Sequence, residues 1–221
     1  MLPFRDRTDA GRQLSAQLGK YRGDRNAIVL ALPRGGVPVA YQVAMALSLP
    51  LDVYTVRKLG VPGHEELAMG AVASDGSYVV DARLLELAQV TPEEFQATLA
   101  RELAELRRRE AAYRDDRPQA DVHGKTVLLV DDGLATGASM QAAIAALRQR
   151  APARIVVAVP VASPDSVLAL EASADEIVTV YQPWPFHAVG IYYANFDQVG
   201  DAVVSRLLSQ AEEARRRWAV A

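Results

Sequence analysis

Between residues 127 and 150 the chain reads as a strand, two aspartates, a glycine loop and a helix. Val127–Val130 are four consecutive aliphatic residues, typical of a strand buried on both faces of a parallel sheet. Asp131 and Asp132 follow directly, and a loop with glycines at both ends leads into a helix-forming run, residues 139–150. Such a junction presents converging N–H groups and a helix dipole, which favour an anion. The order therefore predicts an α/β fold with an anion-binding loop at the end of this strand.

The aspartate pair narrows the kind of ligand that this loop suits. Carboxylates repel phosphate, but they accept hydrogen bonds from hydroxyl groups. A ligand that carries both a phosphate and a diol, such as a phosphorylated ribose, would satisfy both parts of the loop. The structural alternative is a strand end and a helix cap without a ligand, because capping uses the same residue types.

The thirteen residues 127–139 resemble the phosphoribosyl-diphosphate (PRPP) motif of the type I phosphoribosyltransferases. The resemblance implies that Asp131 and Asp132 hold the ribose 2′- and 3′-hydroxyls, and that the backbone of 135–139, with the Thr136 and Ser139 hydroxyls, surrounds the 5′-phosphate. Gly133 departs from the motif, which more often has an aliphatic residue there. We call residues 131–139 the ribose-phosphate loop; its predicted binding residues are Asp131, Asp132, Gly133, Leu134, Ala135, Thr136, Gly137, Ala138 and Ser139.

A second strand–glycine–helix junction lies earlier in the chain. A strand predicted over 27–32 is followed by Pro33-Arg34-Gly35-Gly36, here called the diphosphate loop, and by a helix predicted over 37–48. The fork of donors on Arg34 suits charged oxygens. In the family the matching loop binds the diphosphate and often carries a non-proline cis peptide near this position, so Arg34, Gly35 and Gly36 are predicted binding residues. The alternative is a tight turn with a solvated arginine.

The hydrophobic pattern predicts five core strands, over 27–32, 51–56, 127–131, 154–161 and 176–182, with helices between them. Crossovers between parallel strands are right-handed, and we predict a doubly wound parallel sheet of order 2-1-3-4-5 with helices on both faces. In that order strands 1 and 3 are neighbours, so both loops would line one crevice. We predict a single domain over 1–221, whose core comprises 25–57 and 123–182.

Residues 58–122 separate two core strands by more than a usual crossover and are predicted to form a lid insertion. Asp75-Gly76 between alternating segments predicts a hairpin of 69–74 with 77–81, and the preceding Gly/Pro-rich segment is predicted to be a loop. A capping box at Thr91 begins a helix predicted to end near residues 116–118. The resemblance places a flexible catalytic loop here. Arg57 and Lys58, predicted at the end of the second strand, would meet the diphosphate and act with Asp131 and Asp132 in catalysis; ordinary surface charge is the alternative.

Residues 183–221 are predicted to form a C-terminal hood and a helix over 197–216. Six of the fourteen aromatic residues lie between 181 and 196. They could stack on a flat nucleobase or close a small sub-core, and the pattern leaves both open. The family draws part of the hood that receives the acceptor base from this position.

Composition excludes several classes of function. The absence of cysteine excludes disulfides and thiolate metal sites, and a net charge of −3 argues against a nucleic-acid or membrane surface as partner. No apolar run reaches the ~18 residues of a membrane span and no signal peptide is visible, so we expect a cytoplasmic protein.

The resemblance implies a Mg²⁺-dependent transfer of ribose 5-phosphate from PRPP to a nitrogenous base, with release of diphosphate. Mg²⁺ would arrive with PRPP, so no protein metal ligand is predicted, and family analogy suggests a homodimer. Ala135 stands where hypoxanthine-type transferases carry an aspartate, and the acceptor stays open. The Leu-Pro-Arg-Gly-Gly and Arg-Lys-Leu-Gly segments beginning at Leu32 and Arg57 are similar to an uncharacterised group with this domain. A non-enzymatic PRPP sensor is the alternative function.

Overall fold

The computed structural model describes residues 3–114 and 118–218. The strands in these residues are β1 (Ala27–Ala31), β2 (Leu51–Val53), β3 (Val56–Val61), β4 (His64–Ala73), β5 (Tyr78–Val80), β6 (Thr126–Val130), β7 (Arg154–Val161) and β8 (Glu176–Tyr181). The α-helices are α1 (Arg7–Gln17), α2 (Gly36–Leu47), α3 (Ala82–Leu87), α4 (Pro92–Arg114), α5 (Ala138–Arg148), α6 (Pro164–Leu170) and α7 (Asp201–Trp218).

The core is a five-stranded sheet in which every pairing is parallel, with the order β2-β1-β6-β7-β8. This confirms the predicted doubly wound order. Alternate strand residues point to opposite faces, so β1 sends Val29 and Ala31 to one face and Ile28 and Leu30 to the other. Helices α1, α2 and α7 cover the first face, while α5 and α6 cover the second.

The second core strand is shorter than predicted, because the chain leaves the sheet after Val53. The N–H of Tyr54 still donates to Ala31 O, at 2.9 Å, but the carbonyl of Thr55 accepts from Ser74 N, at 3.2 Å. Val56 then begins β3 in a separate sheet. The prediction of one strand over 51–56 joined these two strands, because hydrophobic residues continue across the change of sheet.

The insertion forms a three-stranded antiparallel sheet of order β3-β4-β5 together with α3 and α4. The predicted hairpin is confirmed by the pairing of Val72 with Tyr78. The prediction of a loop before it was wrong, since β3 and β4 pair across a turn at Pro62-Gly63. Gly63 has a φ of 77°, a value that glycine adopts readily, and it forms part of a tight turn between the two strands rather than of a long loop.

Helix α4 packs one apolar face on the small sheet. Thr91 and Glu94 form the predicted capping box, with each side chain bonded to the backbone N–H of the other residue. Leu106 is buried against a cluster that includes Leu59 and Met69. The predicted end of this helix, near 116–118, involves residues 115–117, which lie outside the described residues.

Helix α7 begins at Asp201, four residues later than predicted, and contacts both α2 and α4. None of the helices in the described parts of the chain combines the length and the apolar character that crossing a bilayer requires.

Candidate functional site

The diphosphate loop and the ribose-phosphate loop face one cleft at the carboxyl ends of β1 and β6. These strands pair with Ala31 opposite Val130, and the N–H of Leu32 continues the ladder by donating to Val130 O at 2.9 Å. A cavity of about 450 Å³ opens there, and Arg34 from one loop and Asp131 and Ser139 from the other are among its lining residues. The sheet order therefore brings the two loops together at the switch point of the fold.

Both glycines of the diphosphate loop allow the backbone to approach the aspartates closely. A Cβ atom on Gly35 would overlap Asp132 Oδ2, and one on Gly36 would lie 2.8 Å from Asp131 Cα. Gly35 has an ordinary helical φ of −60°, so its role is the close approach rather than an unusual conformation. The Pro33–Arg34 peptide is cis, as the resemblance implied.

The two aspartates have different partners. Asp132 Oδ2 accepts a hydrogen bond from Arg7 Nε at 2.8 Å, and the Asp132 carbonyl accepts one from the Tyr193 hydroxyl at 2.6 Å. Asp131 Oδ1 accepts from the backbone N–H of Asp132 at 2.8 Å. Burial raises the pKa of Asp131 well above its usual value, and the Asp132 charge raises it further. Burial also raises the pKa of Asp132, although the hydrogen bond from Arg7 opposes this.

The middle of the ribose-phosphate loop is held through its carbonyl groups, which leaves amides free for an anion. The carbonyl of Ala135 accepts hydrogen bonds from Ser163 Oγ at 3.0 Å and from Ser166 Oγ at 2.6 Å. Within residues 3–114 and 118–218, the amides of Ala135 and Thr136 donate to no protein acceptor. Both residues are exposed, and α5 begins immediately beyond them at a glycine cap without a side-chain hydrogen bond. This geometry suits a phosphate group.

The structure explains the departure at Gly133. A Cβ atom there would lie 2.6 Å from Val189 Cγ1 and 3.0 Å from Val161 Cγ1. Val189, which follows the last core strand, therefore occupies the space in which an aliphatic side chain of the motif would lie.

Arg57 and Lys58 do not stand at the end of a core strand, as was predicted, but near the start of β3. Successive residues of a strand point to opposite faces, and only Arg57 lines the cavity. Arg57 Nε lies 2.7 Å from Glu102 Oε2 on α4. Lys58 is exposed and does not line the cavity.

Helix α4 supplies two arginines to the cavity, Arg108 and Arg109, for which the sequence predicted no role. Arg7 on α1 was missed as well, although its side chain is largely buried against Asp132. Its guanidinium also lies 3.8 Å from the centre of the Phe196 ring. These arginines lie in charged stretches with no local motif, so only the tertiary structure identifies them.

The aromatic segment divides between the two roles that the sequence left open. Tyr192 and Tyr193 are buried with Phe4 in a small cluster, with the Phe4 and Tyr193 ring centres 5.2 Å apart. Trp184 is 76% exposed and lines a second cavity of about 320 Å³, which also reaches Thr136. Tyr192 and Tyr193 thus help to close a small sub-core, while Trp184 is exposed at the second cavity.

Across the described residues, no three His, Asp or Glu side chains come close enough together to hold a metal ion. The carboxylates that line the cleft cavity are Asp131 and Asp201, and they come from different elements.

A sequence model of the family described as "Phosphoribosyl transferase domain" matches residues 5–194. The chain belongs to this family. Two relatives from Mycobacterium tuberculosis strains CDC 1551 / Oshkosh and H37Rv, provisionally named phosphoribosyl transferases, are each 42% identical over 208 residues. The match covers 94% of this chain and 47% of theirs, so the chain spans about half the length of the curated relatives it matches.

The crystal structure of TT1426 from Thermus thermophilus is similar to this phosphoribosyl transferase domain, with a TM-score of 0.84 and 45% sequence identity. The similarity covers 94% of this chain and 98% of that one. It therefore extends across the parallel sheet, the insertion and the segment that follows β8.

Proposed function

We propose that this protein binds Mg²⁺–PRPP across the cleft and transfers the 5-phosphoribosyl group to a nitrogen atom of an aromatic base, with release of diphosphate. The observation that supports this most strongly is the close approach of the two loops at Gly35 and Asp132. One loop suits the diphosphate and the other the ribose 5-phosphate, and PRPP carries these groups on a single sugar.

In this proposal each loop binds one part of the substrate. Asp131 and Asp132 accept hydrogen bonds from the ribose hydroxyls, while the amides of the ribose-phosphate loop bind the 5′-phosphate. Arg34 binds the diphosphate. The bond from ribose C1 to the diphosphate oxygen breaks and its electron pair leaves with the diphosphate; a bond from C1 to the acceptor nitrogen forms. The protein contributes positioning and electrostatic stabilisation of the leaving group.

The remaining segments take supporting roles in the proposal. The insertion, residues 58–122, closes over bound PRPP and keeps water from the activated sugar. The hood, residues 183–221, receives the base, and the exposed Trp184 offers it a stacking surface.

Binding of Mg²⁺–PRPP to an Asp131→Asn/Asp132→Asn variant tests the site. Isothermal titration calorimetry should detect binding to the wild-type protein and none to the variant, because an amide is a weaker acceptor for a hydroxyl and places an N–H₂ group in the site. Asp121→Asn is the matched control, since Asp121 is exposed and does not line the cleft cavity. Unchanged affinity in the double variant would refute the assignment.

Turnover is measured separately, as diphosphate release from PRPP in the presence of a panel of purine and pyrimidine bases. Release with one base identifies the acceptor and supports the transferase. Binding of PRPP without release in any mixture would instead identify a PRPP sensor.

A further inference from the structure

The cleft is lined by several arginines although the chain as a whole carries a net charge of −3, and Glu102 and Glu105 of α4 pair with three of them. The residues that line the cavity include four arginines and two aspartates: Arg34, Arg57, Arg108, Arg109, Asp131 and Asp201. A cavity with this lining attracts a ligand that carries several negative charges.

Glu105 lies on α4 together with Arg108 and Arg109 and holds both side chains in place. Arg108 donates to both Glu105 oxygens, from Nε at 2.8 Å and from Nη2 at 3.0 Å, and Arg109 Nε donates at 2.7 Å. These hydrogen bonds lower the pKa of Glu105 to about 2, so it stays ionised. Each guanidinium has five N–H donors, and Glu105 takes two from Arg108 and one from Arg109. Donors on both groups are therefore left for a ligand.

The position of α4 relative to the diphosphate loop is fixed by a shared partner. Asp201, at the start of α7, accepts a hydrogen bond from the Tyr113 hydroxyl of α4 at 3.2 Å. The same oxygen, Asp201 Oδ1, lies 3.4 Å from Arg34 Nη1. Through Asp201, the arginines of α4 are held on the side of the cleft that also carries Arg34.

We propose that Arg108 and Arg109 bind the diphosphate group of PRPP, together with Arg34 and Arg57. The proposal rests on the function proposed above and assigns the leaving-group contacts to α4. Guanidinium groups match diphosphate oxygens in pairs, which a single lysine cannot do. Lys58, exposed and outside the cavity lining, has no part in this site.

The test measures the binding of inorganic diphosphate by isothermal titration calorimetry in Mg²⁺ buffer. An Arg108→Gln/Arg109→Gln variant should bind diphosphate at least about tenfold more weakly than the wild type, because charge-assisted hydrogen bonds are lost. The affinity of the wild type should fall more steeply with salt than that of the variant. Arg107→Gln is the control, since Arg107 lies on the same helix, is exposed and does not line the cavity.

Two further measurements separate this proposal from the proposed function. The Asp131→Asn/Asp132→Asn variant should lose PRPP but keep diphosphate, because the arginines are intact. Arg108→Lys/Arg109→Lys, which keeps the charges and loses the paired donors, should be intermediate in diphosphate affinity. Wild-type affinity for diphosphate in the glutamine variant, or no diphosphate binding by the wild type, would overturn the role of α4 even if PRPP binds. Diphosphate binding that depends on the arginines, without PRPP binding, would overturn the proposed function instead.

Discussion

The two sides of the cleft are built in different ways. The ribose side consists of the backbone of both loops, which lie on adjacent parallel strands, with their amides, their closely packed glycines and two largely buried carboxylates. The Arg34 side chain of the diphosphate loop belongs to the other side. The arginine side consists of half-exposed or exposed side chains from the diphosphate loop, β3 and α4. The sheet sets the geometry of the first side, whereas the packing of an inserted subdomain sets the geometry of the second.

This difference has an electrostatic consequence. Interactions between exposed charges are weakened by salt, while those of buried groups are screened much less. Under the proposed function, the arginine side binds the diphosphate that leaves after reaction, and the ribose side holds the sugar in one orientation. Substitutions on the two sides should therefore differ in the property that they affect as well as in the size of the effect.

The largest effect expected from a single substitution is on the ribose side, from Gly35→Ala. The added methyl group would overlap Asp132 Oδ2, so the diphosphate loop and the aspartate must move apart. A displacement on the order of 1 Å can cost about a hundredfold in function, and we expect a loss of PRPP affinity of about that size, measured by calorimetry.

The control for this substitution is Gly19→Ala, because a Cβ atom on Gly19 would meet nothing within 4 Å. It should bind PRPP as the wild type does. Full PRPP affinity in the Gly35→Ala variant would show that the close approach of the loops is unimportant for binding.

The same contrast explains what the sequence could predict. The core strands and the position of both loops in the chain follow from local pattern, because a strand, a glycine loop and a helix are contiguous in the sequence. The residues from Val127 to Ser139 therefore predict, by themselves, the strand, the loop and the helix start that they form. The predicted strand over 51–56 failed at Thr55, where the backbone changes sheets while the hydrophobic residues continue.

The arginine side could not be predicted in this way. Arg108 and Arg109 belong to a run of charged residues that reads as a solvated helix face, and Arg7 lies among other charged residues at the start of the chain. Their positions depend on contacts between residues far apart in sequence, such as Arg7 with Asp132 and Tyr113 with Asp201. The apolar side chain of Leu106 predicts burial, but not the surface against which it packs.

A smaller effect is expected on the arginine side from Leu106→Ala. Leu106 is 2% exposed and packs α4 on the small sheet, so its truncation leaves a cavity. We expect the free energy of unfolding to fall by about 3 kcal/mol, as measured by urea denaturation. Diphosphate affinity should fall too, because the arginines lose their fixed position.

The control is Leu87→Ala on α3, in the same insertion, where the side chain is 82% exposed. Its effect on stability should stay within about 0.5 kcal/mol. A Leu106→Ala variant with reduced stability and unchanged diphosphate affinity would mean that the position of α4 does not determine binding.

The smallest effect is expected from Asp131→Asn, on the stability of the fold. It is also the only substitution expected to raise the measured quantity, here the melting temperature, rather than to lower it. The folded pKa of Asp131 lies above its ordinary value of 3.8, so between these two values the folded protein holds a proton that the unfolded chain has lost. Stability therefore falls as the pH rises through this window and stays lower above it. Asparagine has no charge to bury, so the variant should melt above the wild type near neutral pH.

That advantage should shrink as the pH is lowered towards 3.8, where the wild-type carboxyl is protonated too. Asp132→Asn provides the matched comparison, because it removes the carboxylate partner of the largely buried Arg7 guanidinium. Leaving one charge of a buried pair alone is costly, so this variant should be less stable than Asp131→Asn. Thermal denaturation of both variants across the acid range decides the matter. If Asp131→Asn lowers the melting temperature at every pH, the Asp131 carboxylate stabilises the fold, and the cost assigned to its burial is wrong.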